Sequence, residues 1–361
     1  MKNKLPLLFS LAVVAFLVSG CITINTGSQD TSAIDGGVFK SINKGTNWVH
    51  KSLIPTVTGK PGNFAGVNVY SLEMDPNDSS ALYYGSIGSG LLYSYNGAEE
   101  WRQSLGLGNS TVRAIAVDPK SKCAIYAGVN NVIYKTVDCG RSWNPIYTDN
   151  DNTATMESII IDHYNSAIIY AGVSRAKKGD VLKSLNGGAG WQSMERAKSP
   201  VLKLILDPND SRAIYAITKL NGVLQSKDGG NVWADFVGLR NAIDENKLGY
   251  DIKNLIIDKE KTGVMFAATY QGILKTGNNG ETWEKIEILL PEAQAMINAL
   301  AINPKNSQEI YYVTNTVFYK SFDGGKSWST SKLPTTRAGW KLLVDPINPN
   351  VIYLAPRQIT K

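Results

Sequence analysis

The side chains able to do chemistry in this sequence are few and scattered. Three carboxylates come first: Glu73, Glu157 and Asp180. Hydrolysis of a glycosidic bond uses two such groups across a cleft, one held protonated as the acid and one serving as base or nucleophile. Glu73 stands between Leu72 and Met74 in an apolar run, so its carboxyl either holds a proton there or lines a wet channel. No spacing in the chain pairs the three. His50 and His163 are the only histidines, and neither has Cys, His, Asp or Glu at ligand spacing, so a zinc site is not expected. The glycine pairs belong to hairpins and not to a strand-to-helix phosphate loop, so no cofactor is expected either.

Positive charge is more concentrated. The stretch SRAKKGD brings Arg175, Lys177 and Lys178 close in sequence, and MERAKSP adds Arg196 and Lys198. Together with Tyr250 and Tyr270 they form a candidate binding face for an acidic protein surface, an anionic glycan or a lipid headgroup. The same residues read equally well as solvated loops with scattered lysines and two tyrosines covering a core edge.

These residues must be positioned by a repeat. The pattern Ser/Thr-x-Asp/Asn-x-Gly-x-x-Trp begins at Ser41, Ser94, Thr136, Ser184, Ser226, Thr276 and Ser321, with spacings of 53, 42, 48, 42, 50 and 45 residues. Periods of this length signal propeller blades. The third and eighth positions are Asn43 and Trp48, Asn96 and Trp101, Asp138 and Trp143, Asn186 and Trp191, Asp228 and Trp233, Asn278 and Trp283, and Asp323 and Trp328. The Asp or Asn accepts backbone N–H groups, glycine supplies a positive φ, and Trp fills a gap beneath the turn. One copy has Ala98 in place of the glycine, so the turn at Asn96 is expected to be strained or to use Gly97.

SFDGGKSW, SKDGGNVW, TVDCGRSW and TGNNGETW resemble the Asp-box, or bacterial neuraminidase repeat, over about residues 36 to 355. Sialidases, xyloglucanases, sortilin-type receptor domains and photosystem II stability/assembly factors share that pattern. The sialidase Arg-Ile-Pro motif is absent, and the two-propeller plan of the xyloglucanases exceeds this chain. The N-terminus resembles a bacterial lipobox: Lys2 and Lys4, an apolar run from Leu5 to Val18, then Ser19, Gly20 and Cys21. The resemblance implies cleavage after residue 20, lipidation of Cys21 and a tether over 21–35. Removing residues 1 to 20 lowers the formal charge from +6 to +4, mildly basic and not a nucleic-acid signature.

Each repeat follows one plan. An apolar strand ends at Asp75, Asp118, Asp162, Asp207, Asp258, Asn303 or Asp345, and a second strand carries an aromatic at one register, from Tyr83 to Tyr353. The third strand leads into the box and the fourth follows its Trp. The chain starts with a third-plus-fourth pair and ends with a first-plus-second pair. The expected fold is therefore all-β: a seven-bladed propeller over 36–361, with four-stranded antiparallel blades and one blade shared by the two ends. This plan puts the first and third hairpin turns on one face, so Cys123 neighbours Cys139 and a disulfide is expected. The opposite face carries irregular insertions, the longest at 49–68 and 234–251. The function expected is binding: a monomeric, lipid-anchored scaffold or assembly factor facing periplasm or exterior, with an envelope protein or glycan as partner. The alternative is an envelope-associated glycoside hydrolase or glycan-binding protein.

Overall fold

Seven four-stranded antiparallel sheets make up the fold, a seven-bladed β-propeller. The structure is a computed structural model that describes residues 35–57 and 59–359; the leader expected over 1–20, Cys21 and the tether expected up to 35 lie, but for Asp35, outside the described residues. The inner strands are Val69–Asp75, Val112–Asp118, Thr155–Ile161, Val201–Leu206, Ile252–Ile257, Ala299–Asn303 and Ala338–Val344, which open blades one to seven. Blade seven is built from both ends of the chain. Val38–Ser41 lies against Ile352–Arg357, with Phe39 opposite Leu354 and Ser41 opposite Ile352. Asp35 fastens this junction, accepting from Thr336 N at 2.5 Å and pairing with the buried Arg337 at 3.4 Å.

The seven conserved-pattern turns share one hydrogen-bond network. The first-position hydroxyl donates to the third-position side chain and accepts the fifth-position N–H; at the last turn these distances are 2.8 Å (Ser321 to Asp323) and 2.9 Å (Gly325 to Ser321). The same two contacts recur in the other six. Fourth and fifth residues both adopt positive φ in every copy, from Lys44 at 55° and Gly45 at 74° to Gly324 at 77° and Gly325 at 91°. Ala98 keeps the fifth place with φ 70°, its N–H 3.0 Å from Ser94 Oγ, so the chain accepts a left-handed alanine and leaves the turn type unchanged. Trp101 is fully buried, whereas the other six indoles are half-buried against their turns.

Those left-handed turns hold neighbouring blades together. The fourth-position carbonyl faces the preceding blade, where it accepts from a third-strand lysine: Lys40 to Gly97 O at 2.8 Å, Lys135 to Gly187 O at 3.0 Å and Lys183 to Gly229 O at 2.6 Å. Each ammonium also lies over the second-strand aromatic of its own blade, Tyr353, Tyr126 and Tyr170 respectively. Tyr170 Oη donates to the same Gly229 carbonyl at 2.9 Å. Cys123 and Cys139 are joined as a disulfide across the turn face of blade two.

The insertion at 234–251 is not wholly irregular. It folds into the helix Val237–Glu245, which buries Leu239, Ala242 and Ile243 at i, i+3 and i+4 against blades four and five.

A Cβ on Gly280 would overlap the Phe236 ring, and its φ of +81° already disfavours a side chain. Gly280→Ala is expected to lower the unfolding free energy by roughly 2–4 kcal/mol in urea titrations. Gly59→Ala has the same φ sign and open space, and is expected to cost about 1 kcal/mol. Equal losses in the two variants would show that inter-blade packing at the turn contributes nothing.

Candidate ligand channel

A repeated irregularity in the inner strands builds the channel mouth. Six of the seven ladders skip one residue near the start: from Val69 to Ser71, Val112 to Ala114, Met156 to Ser158, Val201 to Lys203, Ile252 to Asn254 and Gly339 to Lys341. A bulge of this kind re-aims the unpaired side chain. The residues so released are Tyr70, Arg113, Glu157, Leu202, Lys253 and Trp340, and with Asn298 of blade six they line a cavity of about 400 Å³ on the loop face. All seven stand five residues before the Asp or Asn that ends the strand.

Glu157 is the centre of one cluster. Its carboxylate accepts from Thr155 Oγ1 at 2.6 Å, from Arg113 at 3.1 Å and from the Tyr70 hydroxyl. Arg113 also donates to Tyr70 Oη at 2.7 Å and stacks over that ring at 4.7 Å. Burial, then the Glu157 charge, holds the Tyr70 phenol well above its ordinary pKa. Arg357 lies 4.8 Å from the Trp340 ring and 6.0 Å from the Tyr70 ring.

Deeper in the channel, Glu73 stands among Lys203 and Lys341. Its side chain is accessible from the channel yet surrounded by protein, so enclosure governs its charge more than its accessible area does. That desolvation raises the Glu73 pKa, and the two lysines oppose the rise. Desolvation lowers Lys203 against the pull of Glu73, while its ammonium donates to Asn254 Oδ1 at 2.7 Å. Lys341 is pushed down to about 8, by enclosure first and then by the Lys203 charge. Towards the turn face an aliphatic band of Ile115, Ile159, Ile161, Leu204, Leu206 and Ile257 lines a cavity of about 770 Å³, which Asn77, His163 and Lys259 also border.

The residues singled out in the sequence are distributed differently. Glu73 and Glu157 line the same cavity, and Asp180 lies outside it. Asp180 instead grips Arg175 at 2.6 Å, with Asp149 at 2.5 Å on the other side, so the Arg175 charge is answered within blade three and is not offered outward. Lys177, Lys178, Arg196 and Lys198 are exposed. Lys198 and Tyr250 border a common cavity of about 510 Å³ with Arg240, and the Tyr250 hydroxyl donates to Asp244 at 2.6 Å. Tyr270 carries Lys253 over its ring at 4.8 Å, beside the channel mouth. His50 stacks on Phe39 with Nε2 2.6 Å from Gly36 O, a structural contact. Sequence reasoning passed over Tyr70, Arg113, Trp340, Lys341 and Arg357. The signal that finds four of them is the register: they fall five, or for Lys341 four, residues before the strand-ending Asp.

Fold and channel together define a single seven-bladed propeller with a charged, aromatic-lined axial cavity. No family model matches the chain. Among curated proteins it is 23% identical to a xyloglucanase of Paenibacillus over 287 residues, 73% of this chain and 25% of that protein. It is 32% identical over 82 residues to the oligoxyloglucan-reducing end-specific xyloglucanase of Emericella nidulans, 10% of that protein. The chain thus spans a quarter or less of these relatives. Among solved structures, the GH74 xyloglucanase from Xanthomonas campestris superposes with a TM-score of 0.65 at 16% identity, covering 81% of this chain and 51% of that one. YCF48 bound to D1 peptide superposes with a TM-score of 0.59 at 15% identity, covering 82% and 94%. At these identities the likeness is one of fold.

Lys341 titrates below an ordinary lysine, so its protonated form weakens the fold below about pH 8 and that penalty fades as pH rises towards the usual lysine pKa near 10.5. Lys341→Met is therefore expected to be more stable than wild type near neutrality, by at most about 3 kcal/mol. The advantage should shrink between about pH 8 and about pH 10.5 in chemical denaturation. An advantage independent of pH would mean the lysine is not desolvated.

Proposed function

We propose that this chain is an Asp-box propeller, lipid-anchored through Cys21 outside the cytoplasm, that binds a protein partner of the cell envelope as a scaffold or assembly factor. The observation that carries this reading is the engagement of the carboxylates. Glu157 already accepts three hydrogen bonds, Asp180 is paired with Arg175, and Glu73 faces lysines where a hydrolase needs a second acid. The span of the relatives supports it: the chain covers 94% of the propeller solved with a D1 peptide and 51% of the xyloglucanase. A polypeptide is accordingly the class of ligand proposed.

The anchor fits a loop-face partner. Val38–Ser41 runs into its box turn, so the chain enters the propeller from the loop face, next to the channel mouth. The glycan-hydrolase alternative rests on the match to xyloglucanases and on Glu73, whose raised pKa suits a general acid.

The test is capture of partners from solubilised envelopes by the full-length, detergent-solubilised chain and by a variant with Lys177, Lys178, Arg196 and Lys198 changed to Ser. A specific protein should be retained by wild type and reduced roughly tenfold in the variant, since a set of surface charges can supply that difference. If neither form retains a protein but both shorten xyloglucan or an envelope glycan, and Glu73→Gln abolishes the cleavage, the hydrolase reading replaces this one.

A further inference from the structure

The axial channel holds more positive charge than its own carboxylates answer. Around the loop-face half are Arg113, Lys203, Lys253, Lys341 and Arg357, against Glu73, Glu157 and Asp251. Two of these pairs are closed: Arg113 with Glu157 at 3.1 Å, and Lys253 with Asp251 at 2.7 Å. Lys203 has the Asn254 carbonyl oxygen. Lys341 has no hydrogen-bond acceptor and no ion-pair partner among the described residues. Among the described residues Arg357 has no ion pair or side-chain hydrogen bond and lies over the Trp340 and Tyr70 rings, and Arg113 Nε is buried without an acceptor. Glu73 interacts with both lysines at a distance but makes an ion pair with neither.

Cations held away from water without a counter-charge are costly, and an anion entering the channel would relieve that cost. The Arg357 guanidinium carbon lies 4.8 Å from the Trp340 ring centroid and 6.0 Å from that of Tyr70, and the planar fork of a guanidinium matches the two oxygens of a carboxylate or phosphate. Enclosure strengthens such a contact relative to one on the outer surface. A mouth of about 400 Å³ admits a small anion and excludes a folded domain.

We propose that the loop-face half of the axial channel binds a small free anion, of carboxylate or phosphate chemistry, between Arg357 and Lys341 against the Trp340 wall. The site does not depend on the protein-partner reading, since it uses none of the exposed loop lysines. Binding is pH-dependent through the Lys341 ammonium, which faces Lys203, Glu73, Arg357 and Glu157. The anion needs that ammonium charged, so affinity is highest below about pH 8 and falls above it.

Calorimetric titration of the full-length, detergent-solubilised chain with sodium acetate and, separately, inorganic phosphate tests the proposal at constant ionic strength. At about pH 6.5 one or both anions should bind saturably at one site, and at about pH 9.5 the affinity should fall roughly tenfold. The better of the two identifies the chemistry. Lys341→Met and Arg357→Gln should each weaken binding about tenfold, and Glu73→Gln, which removes a competing carboxylate, should tighten it. Lys177→Ser should leave it unchanged. Lys341→Met removes an unanswered charge and keeps its fold, which circular dichroism verifies. Absence of saturable binding up to about 50 mM of either anion, or equal affinity in wild type, Lys341→Met and Arg357→Gln, would overturn the site.

Discussion

The propeller depends on a pair of left-handed residues at the end of every third strand. With both φ values positive, the backbone reverses tightly enough for one hydroxyl to close the turn, and the fourth-position carbonyl is left facing sideways. That carbonyl is the acceptor for the lysine of the adjacent blade, so a local backbone choice becomes an inter-blade contact. Glycine dominates the fifth position for two reasons: the φ itself and the side chains that press on it, such as Phe318 at Gly45 and Phe236 at Gly280. Ala98 shows that the first reason alone is tolerable where the neighbour leaves room for a methyl group.

The axial site follows from a different device. A bulge in six of the seven inner strands breaks the alternation that would send every second side chain into the space between blades. The released side chains differ from blade to blade, a phenol, a guanidinium, a carboxylate, an alkyl chain, an ammonium and an indole, and the Asn298 amide of blade six joins them at the equivalent position. One ring of equivalent backbone positions thus carries seven chemistries. The turn-face half has no such release and carries an aliphatic band, with Asn77, His163 and Lys259 also lining its cavity.

How much of this was legible in the residues follows the same division. The blades, their number and the shared seventh blade were readable because Ser41 to Trp328 repeat a turn whose φ requirements allow few residue types. The pairing of Cys123 with Cys139 was readable from strand order alone. The channel cluster was not, because Tyr70, Arg113 and Trp340 have no common type, and a repeat search discards the positions at which copies disagree. Arg175 was misjudged for the opposite reason: adjacency to Lys177 and Lys178 suggested a shared surface, but the strand pairing turns it between Asp149 and Asp180. The helix Val237–Glu245 was also overlooked, its buried positions being only Leu239, Ala242 and Ile243.

The shared blade sets an order of events for a chain that emerges from its N-terminus. Val38–Ser41 is made first among the strands but finds Ile352–Arg357 last, and Asp35 meets Thr335 only across 300 residues. During synthesis the first described strand waits as an open edge while six complete blades form behind it. Ring closure is then a late, non-local step, and a nascent chain cut short before residue 352 would retain every blade but one and still present two unmatched sheet edges to whatever chaperone stands at the exit.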